Sequence, residues 1–169
     1  MDKSINKNKI FRVIMTVIIL VTVAIIWGHS FMTPEMSTEE SSFVKEIVEA
    51  VVQSVSNNEA FVIPEVVIRK SAHFFEYAVL GLELAILITV NKSESLTDDK
   101  KRGLIKIIFS FYPTAFIFSL FVASVDETIQ YFTGRYSSFW DVLLDLSGAS
   151  FSIGIFLLLR SLIRKKRKS

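Results

Sequence analysis

Four apolar stretches, each close to the length a helix needs to cross a bilayer, dominate this 169-residue sequence and leave it few folds to choose from. Crossing about 30 Å of hydrocarbon takes roughly 20 helical residues. The stretches run approximately from Ile10 to Trp27, Arg69 to Val90, Leu104 to Val125 and Phe139 to Leu162. They predict an all-α, polytopic membrane protein, a four-transmembrane-helix bundle formed by a single domain over residues 1–169. Apolar residues make up 51% of the chain and charged residues only 21%, which fits a bundle facing lipid. The absence of cysteine excludes a disulfide scaffold, thiolate metal sites and cysteine nucleophiles.

Basic residues set the expected orientation. With the N-terminus in the cytoplasm, Lys3, Lys7, Lys9 and Arg12 lie inside, as do Lys92, Lys100, Lys101, Arg102 and Lys106 of the second connection. The tail residues Arg160, Arg164, Lys165, Lys166, Arg167 and Lys168 follow them, leaving only Lys45, Arg69, Lys70 and Arg135 outside. Fifteen of nineteen basic residues on one side is a strong positive-inside bias, so both termini are expected in the cytoplasm. The alternative for the first stretch is a signal peptide cleaved near Gly28-His29-Ser30, but 18 apolar residues exceed the usual hydrophobic core of such a peptide. The basic tail reads as an orientation signal or an anionic-lipid contact, and no nucleic-acid partner is expected at a net charge of +2.

The long first connection, residues 28–68, carries its own helix signal. Ser37 and Glu40 read as a capping box, and Val44, Ile47, Val48, Val51, Val52 and Val55 recur at helical spacing. An amphipathic helix of about 18 residues is expected in this extracytoplasmic loop, either lying in the membrane interface or covering the outer ends of the spans.

Ionisable groups inside spans cost on the order of 2.5–3.5 kcal/mol each at the bilayer centre and therefore need a reason. Here nearly all fall at one end. Arg69, Lys70, His73, Glu76 and Tyr77 open the second span, with Arg69, His73 and Glu76 on one helical face. Asp126, Glu127 and Gln130 close the third, Arg135 lies in the turn after it, and Asp141 and Asp145 begin the fourth, in line with Gly148 and Ser152. One reading is a salt-bridge network that fixes helix register. The other, favoured by clamps of arginine and lysine beside a histidine, is a polar pocket opening to the extracytoplasmic face.

The stretch Arg69-Lys70-Ser71-Ala72-His73-Phe74-Phe75-Glu76-Tyr77, followed by Asp126-Glu127-x-x-Gln130, by Gly134-Arg135 and by Asp141-x-x-x-Asp145, resembles the VanZ-like family of bacterial membrane proteins. The family's Lys-x-x-His-x-x-x-Tyr element falls on Lys70, His73 and Tyr77, and its final Asp on Asp141. Asp145 stands where the family usually has Asn. The resemblance covers essentially the whole chain. It implies a role in how the cell envelope responds to teicoplanin-type glycopeptides. Some members carry a phosphotransbutyrylase label, but that acyl-CoA chemistry would need a cytoplasmic site.

Two classes of function follow. In the first, a binder or transporter, the polar site grips an anionic headgroup or a lipid-linked cell-wall component, with Glu83 as a deeper step. In the second, a membrane-embedded hydrolase or transferase, Arg69, Lys70 and Arg135 hold a phosphate-bearing substrate. There His73, oriented by Glu76 or Asp126, acts as acid or base, and Tyr77, Glu127, Gln130, Asp141 and Asp145 complete the substrate site. A metal variant would use His73, Glu76, Asp126, Glu127 and Asp141. The single His-x-x-Glu element and the cations in the same layer argue against it, so neither metal nor other cofactor is expected.

Overall fold

The computed structural model describes residues 2–56, 61–95 and 104–166, which form five helices: α1 (Asp2–Ser30), α2 (Pro34–Ser56), α3 (Glu65–Ser95), α4 (Leu104–Phe132) and α5 (Phe139–Lys166). Four of them, all but α2, are long and apolar enough to cross a membrane. The expected all-α bundle with an amphipathic helix in its first connection is the fold observed. The solvated cytoplasmic turn expected at residues 91–103 lies mostly outside the described residues.

The helix ends extend past the apolar stretches. Polar side chains can prolong a helix once its backbone is already hydrogen-bonded, so hydropathy understates its length. Thus α1 continues through His29 to Ser30, α3 starts a turn before Arg69, and α4 runs to Phe132. Residues 126–130, which close the third span, form the last turns of α4 before Phe132, and the connection to α5 is only 133–138. Gly134 makes that reversal possible with φ of 76°, a left-handed conformation that costs glycine little.

The start of α2 also differs from expectation. Its cap is Thr33, whose Oγ1 accepts the amide of Met36 at 3.4 Å, with Pro34 at the first helical position. Ser37 is inside the helix rather than at its cap. It is turned inward and buried, as is Ser41, whose hydroxyl donates to the Ser37 carbonyl at 2.8 Å.

Helix α3 is the central element and packs against each of the other four. Its Tyr77, Leu80 and Leu84 meet Ile19, Val23 and Ile26 of α1, Val122 and Ala123 of α4, and Ala149, Ile153 and Leu157 of α5 in one core. The opposite faces of the spans, for example Val13, Val17, Leu20 and Val21, are apolar and exposed, as lipid contact requires. Small residues bring α3 and α5 closest. Gly81 faces the Ala149 carbonyl, and Gly148 faces the backbone of Phe74 and Ala78, with no room for a side chain at either point.

One half-buried carboxyl lies away from the polar end. Glu83 accepts a hydrogen bond from Thr22 of α1 at 2.9 Å, the neighbouring-helix hydroxyl expected of a structural carboxyl.

Candidate functional site

The C-terminal ends of α1 and α4 and the N-terminal ends of α3 and α5 meet at one end of the bundle, and the chain's polar span residues collect there. A cavity of about 260 Å³ opens among them. Arg69, Lys70 and His73 line it from α3, Glu127 and Gln130 from α4, Arg135 from the short connection, and Asp141 and Asp145 from α5. Pro34, Ser37 and Thr38 of α2 form its remaining wall. Of the two roles open to α2, covering the span ends is the one its buried serines serve, while Ile47, Val51 and Val55 stay exposed on its other side.

The pairing within the cluster is selective. Lys70 Nζ binds Asp141 Oδ1 at 2.5 Å. Glu127 is held by the Ser138 amide, which donates to its Oε2 at 3.0 Å. Gln130 Nε2 donates to Asp126 Oδ2 at 3.0 Å, and the Ser30 hydroxyl donates to Asp126 Oδ1. Asp126 is thereby fixed from two sides beneath the cavity, fully buried.

The two arginines behave differently. Arg135 donates from a guanidinium nitrogen to the His29 carbonyl at 3.0 Å, and among the described residues neither it nor Arg69 forms an ion pair with a carboxylate. Burial, and then the adjacent Arg69 guanidinium, pull Arg135 below its ordinary pKa. It nevertheless remains cationic at neutral pH. Two like charges therefore share one cavity with neither held in a direct ion pair, which leaves both guanidinium groups open to an entering anion.

His73 sits between Asp126, one of the two carboxylates expected to orient it, and Asp145. Its Nδ1 lies 3.7 Å from Asp126 Oδ2 and 3.9 Å from Asp145 Oδ1. Glu76, expected to orient that ring, instead bonds His29 Nδ1 at 2.5 Å, because α1 continues far enough to bring His29 across. Glu76 and His29 line a second cavity of about 330 Å³, shared with Arg69, His73 and Arg135 and walled by α2 and α3, with apolar residues such as Val44, Val48 and Phe75. Tyr77 is in the core beside the site, its hydroxyl buried without a partner.

The expected metal set does not assemble. Glu76 is engaged by His29, Glu127 by a backbone amide and Asp141 by Lys70. His73 and Asp126 are instead joined by Asp145, and the ligand-type atoms of these three lie within 4.8 Å of one another.

Sequence reading did not single out His29 or Ser30, which sit past the apolar run of α1. The inward serines of α2 did carry a signal. Ser37 and Ser41 precede Val44 and Val48 at i, i+4, i+7 and i+11, which places all four on one face.

No curated protein and no solved structure matches the chain. The family model described as VanZ/LLP1 does match it, over residues 14–160, from within α1 to the later turns of α5. The match includes every residue lining the polar cavity, and the chain is therefore a multi-pass membrane protein that belongs to the VanZ/LLP1 family.

Proposed function

We propose that the polar cavity binds an anionic group of an envelope component, such as the phosphate of a lipid headgroup or of a lipid-linked cell-wall precursor, and that the protein modifies the response to teicoplanin-type glycopeptides through that binding. The observation that carries this reading is the pair of guanidinium groups, Arg69 and Arg135, lining one cavity without a carboxylate partner among the described residues. Guanidinium groups match phosphate or carboxylate with parallel hydrogen bonds, whereas Lys70 is already paired with Asp141.

The cavity is proposed to face the extracytoplasmic side of the cytoplasmic membrane, with both termini inside. Support comes from the basic asymmetry of the sequence. The large exposed aromatic residues at this end of the bundle, Tyr131, Phe132, Tyr136, Phe139 and Trp140, also suit the headgroup level, which brings the cavity within reach of lipid headgroups. In intact cells, Glu39→Cys on α2 should react with an impermeant thiol reagent, whereas Lys166→Cys should react only after the membrane is opened. Labelling of Lys166→Cys from outside would reverse the orientation.

Binding is tested with the purified full chain in nanodiscs, using inorganic pyrophosphate and a polyprenyl phosphate as probes and phosphatidylcholine as the zwitterionic control. Saturable binding of the phosphate probes is expected, weakened about tenfold to hundredfold in Arg69→Ala, since a hydrogen bond to a charged group contributes roughly 1.5–3 kcal/mol. Equal binding by wild type and Arg69→Ala would dismiss the cavity as the site.

A second reading is supported by His73, which lines the same cavity as the two arginines with two carboxylates within 4 Å of its ring nitrogen. In it the protein is a membrane-embedded hydrolase or transferase and His73 acts as acid or base on a phosphate-bearing substrate. Release of product from the bound probe separates this reading from binding alone.

A further inference from the structure

We propose that His73, Asp126 and Asp145 form a binding site for one divalent transition-metal cation of the Zn²⁺ or Mn²⁺ type, at the floor of the arginine-lined cavity. The three residues come from α3, α4 and α5, so the site exists only in the assembled bundle. Their ligand atoms lie within 4.8 Å of one another, with His73 Nδ1 at 3.7 Å from Asp126 Oδ2 and 3.9 Å from Asp145 Oδ1. These separations are too long for hydrogen bonds and too short for a side chain to enter between them. Tetrahedral ligands about 2.1 Å from a metal lie roughly 3.4 Å apart, so small side-chain rotations close the triangle.

An independent observation points to a ligand at this place. Asp145 is 1% exposed, and neither of its carboxylate oxygens has a hydrogen-bond partner. A buried carboxylate is kept only where something compensates it, and the cation-forming group nearest to it in an ion-pair geometry is His73, whose Nδ1 is 3.9 Å away. The Tyr77 hydroxyl, also buried and without a partner, lies within the electrostatic reach of Asp126 and Asp145. Asp126, by contrast, is oriented by Ser30 and Gln130, as a ligating carboxylate is held by its surrounding donors.

The donor set selects the metal class. One imidazole and two carboxylates suit Zn²⁺ or Mn²⁺ better than the all-oxygen cages of Ca²⁺ or the largely hydrated sites of Mg²⁺. The charges also fit. A divalent cation on two carboxylates and a neutral imidazole makes a neutral unit, and Lys70 is already neutralised by Asp141. The repulsion that two arginines exert on a cation is thus met by two buried carboxylates in contact with it, and the guanidinium groups remain available to an anion. His73 and Asp145 both line the cavity, so the coordination position left by three protein ligands opens towards that anion.

The test uses the full chain, purified in detergent without a histidine tag, stripped with a chelator and then exposed to Zn²⁺ or Mn²⁺ alone in a phosphate-free buffer. After desalting, mass spectrometry of the metals should find about one ion per wild-type chain, and thermal unfolding should shift upward on metal addition. Asp145→Asn and His73→Gln should each bind roughly tenfold to hundredfold more weakly or not at all, while Glu46→Gln on α2 should bind like wild type. Wild type that retains neither metal, or Asp145→Asn that retains it equally, would overturn the site, and the wild-type result does not depend on any variant folding. Phosphate binding by metal-stripped protein reads the arginines alone, so the failure of one proposal is distinguishable from the failure of the other.

Discussion

Replacing Gly148 by leucine should leave little folded protein in the membrane, and replacing it by alanine should lower stability by about 1–3 kcal/mol, the usual cost of overpacking. A Cβ at this position would overlap the carbonyl oxygen of Phe74 and approach Ala78 N to 3.3 Å. Both are backbone atoms of α3, so relief requires the helices to part. A parallel clash awaits at Gly81, whose Cβ would come within 2.7 Å of Ala149 Cα. Gly154 is the matched control on the same helix, because nothing lies within 4 Å of its Cβ position. Thermal unfolding in detergent and size-exclusion profiles should therefore rank Gly154→Ala near wild type, then Gly148→Ala, then Gly148→Leu. The expected damage extends to the site. His73 directly precedes Phe74, and Asp145 lies one turn before Gly148, so separating α3 from α5 separates two groups on which the polar cluster depends. A Gly148→Leu protein as stable as wild type would mean that α3 and α5 do not approach this closely.

Much of this architecture is legible in the sequence because a bilayer imposes a length on each apolar run, and because positions that share a helical face can be found by counting. That reasoning brings Arg69, His73, Asp126, Asp141 and Asp145 to one end before any coordinates are known. Partner choice is not legible in the same way. Asp145, Asp141 and Glu76 are equivalent as letters, yet one is unpartnered, one holds Lys70 and one holds His29. What separates them is the placement of α3 against α5, where Gly148 and Gly81 allow close approach, and the extra turn of α1 that brings His29 to Glu76. The cap of α2 shows a local failure of another kind. Ser37 and Glu40 satisfy a capping pattern, but Thr33 followed by Pro34 starts the helix earlier, since proline's fixed φ and missing amide suit the first helical position.

His73→Ala and Arg135→Ala should each abolish the protein's effect on glycopeptide tolerance while the protein still accumulates in the membrane, and Arg135→Lys should reveal which property of the arginine matters. Lysine keeps the positive charge but offers a single ammonium in place of a planar fork. If the cavity recognises a phosphate or carboxylate through two parallel hydrogen bonds, Arg135→Lys should bind the anionic probe about tenfold more weakly, near 1.4 kcal/mol, and give an intermediate phenotype. If the guanidinium serves mainly to fasten the turn to α1 through the His29 carbonyl, 3.0 Å away, Arg135→Lys and Arg135→Ala should instead lower thermal stability together and leave probe binding unchanged in the folded fraction. Measuring melting temperature and probe affinity on the same preparations separates these outcomes. Neutralising the tail with Lys165→Ala and Lys166→Ala should change neither quantity, because those residues end α5 at the far end of the bundle from the cavity. Should folded His73→Ala and Arg135→Ala proteins both protect like wild type, the cluster's work would be to fix helix register. The carboxylates around His73 would then serve a buried polar network that holds α3, α4 and α5 in one alignment.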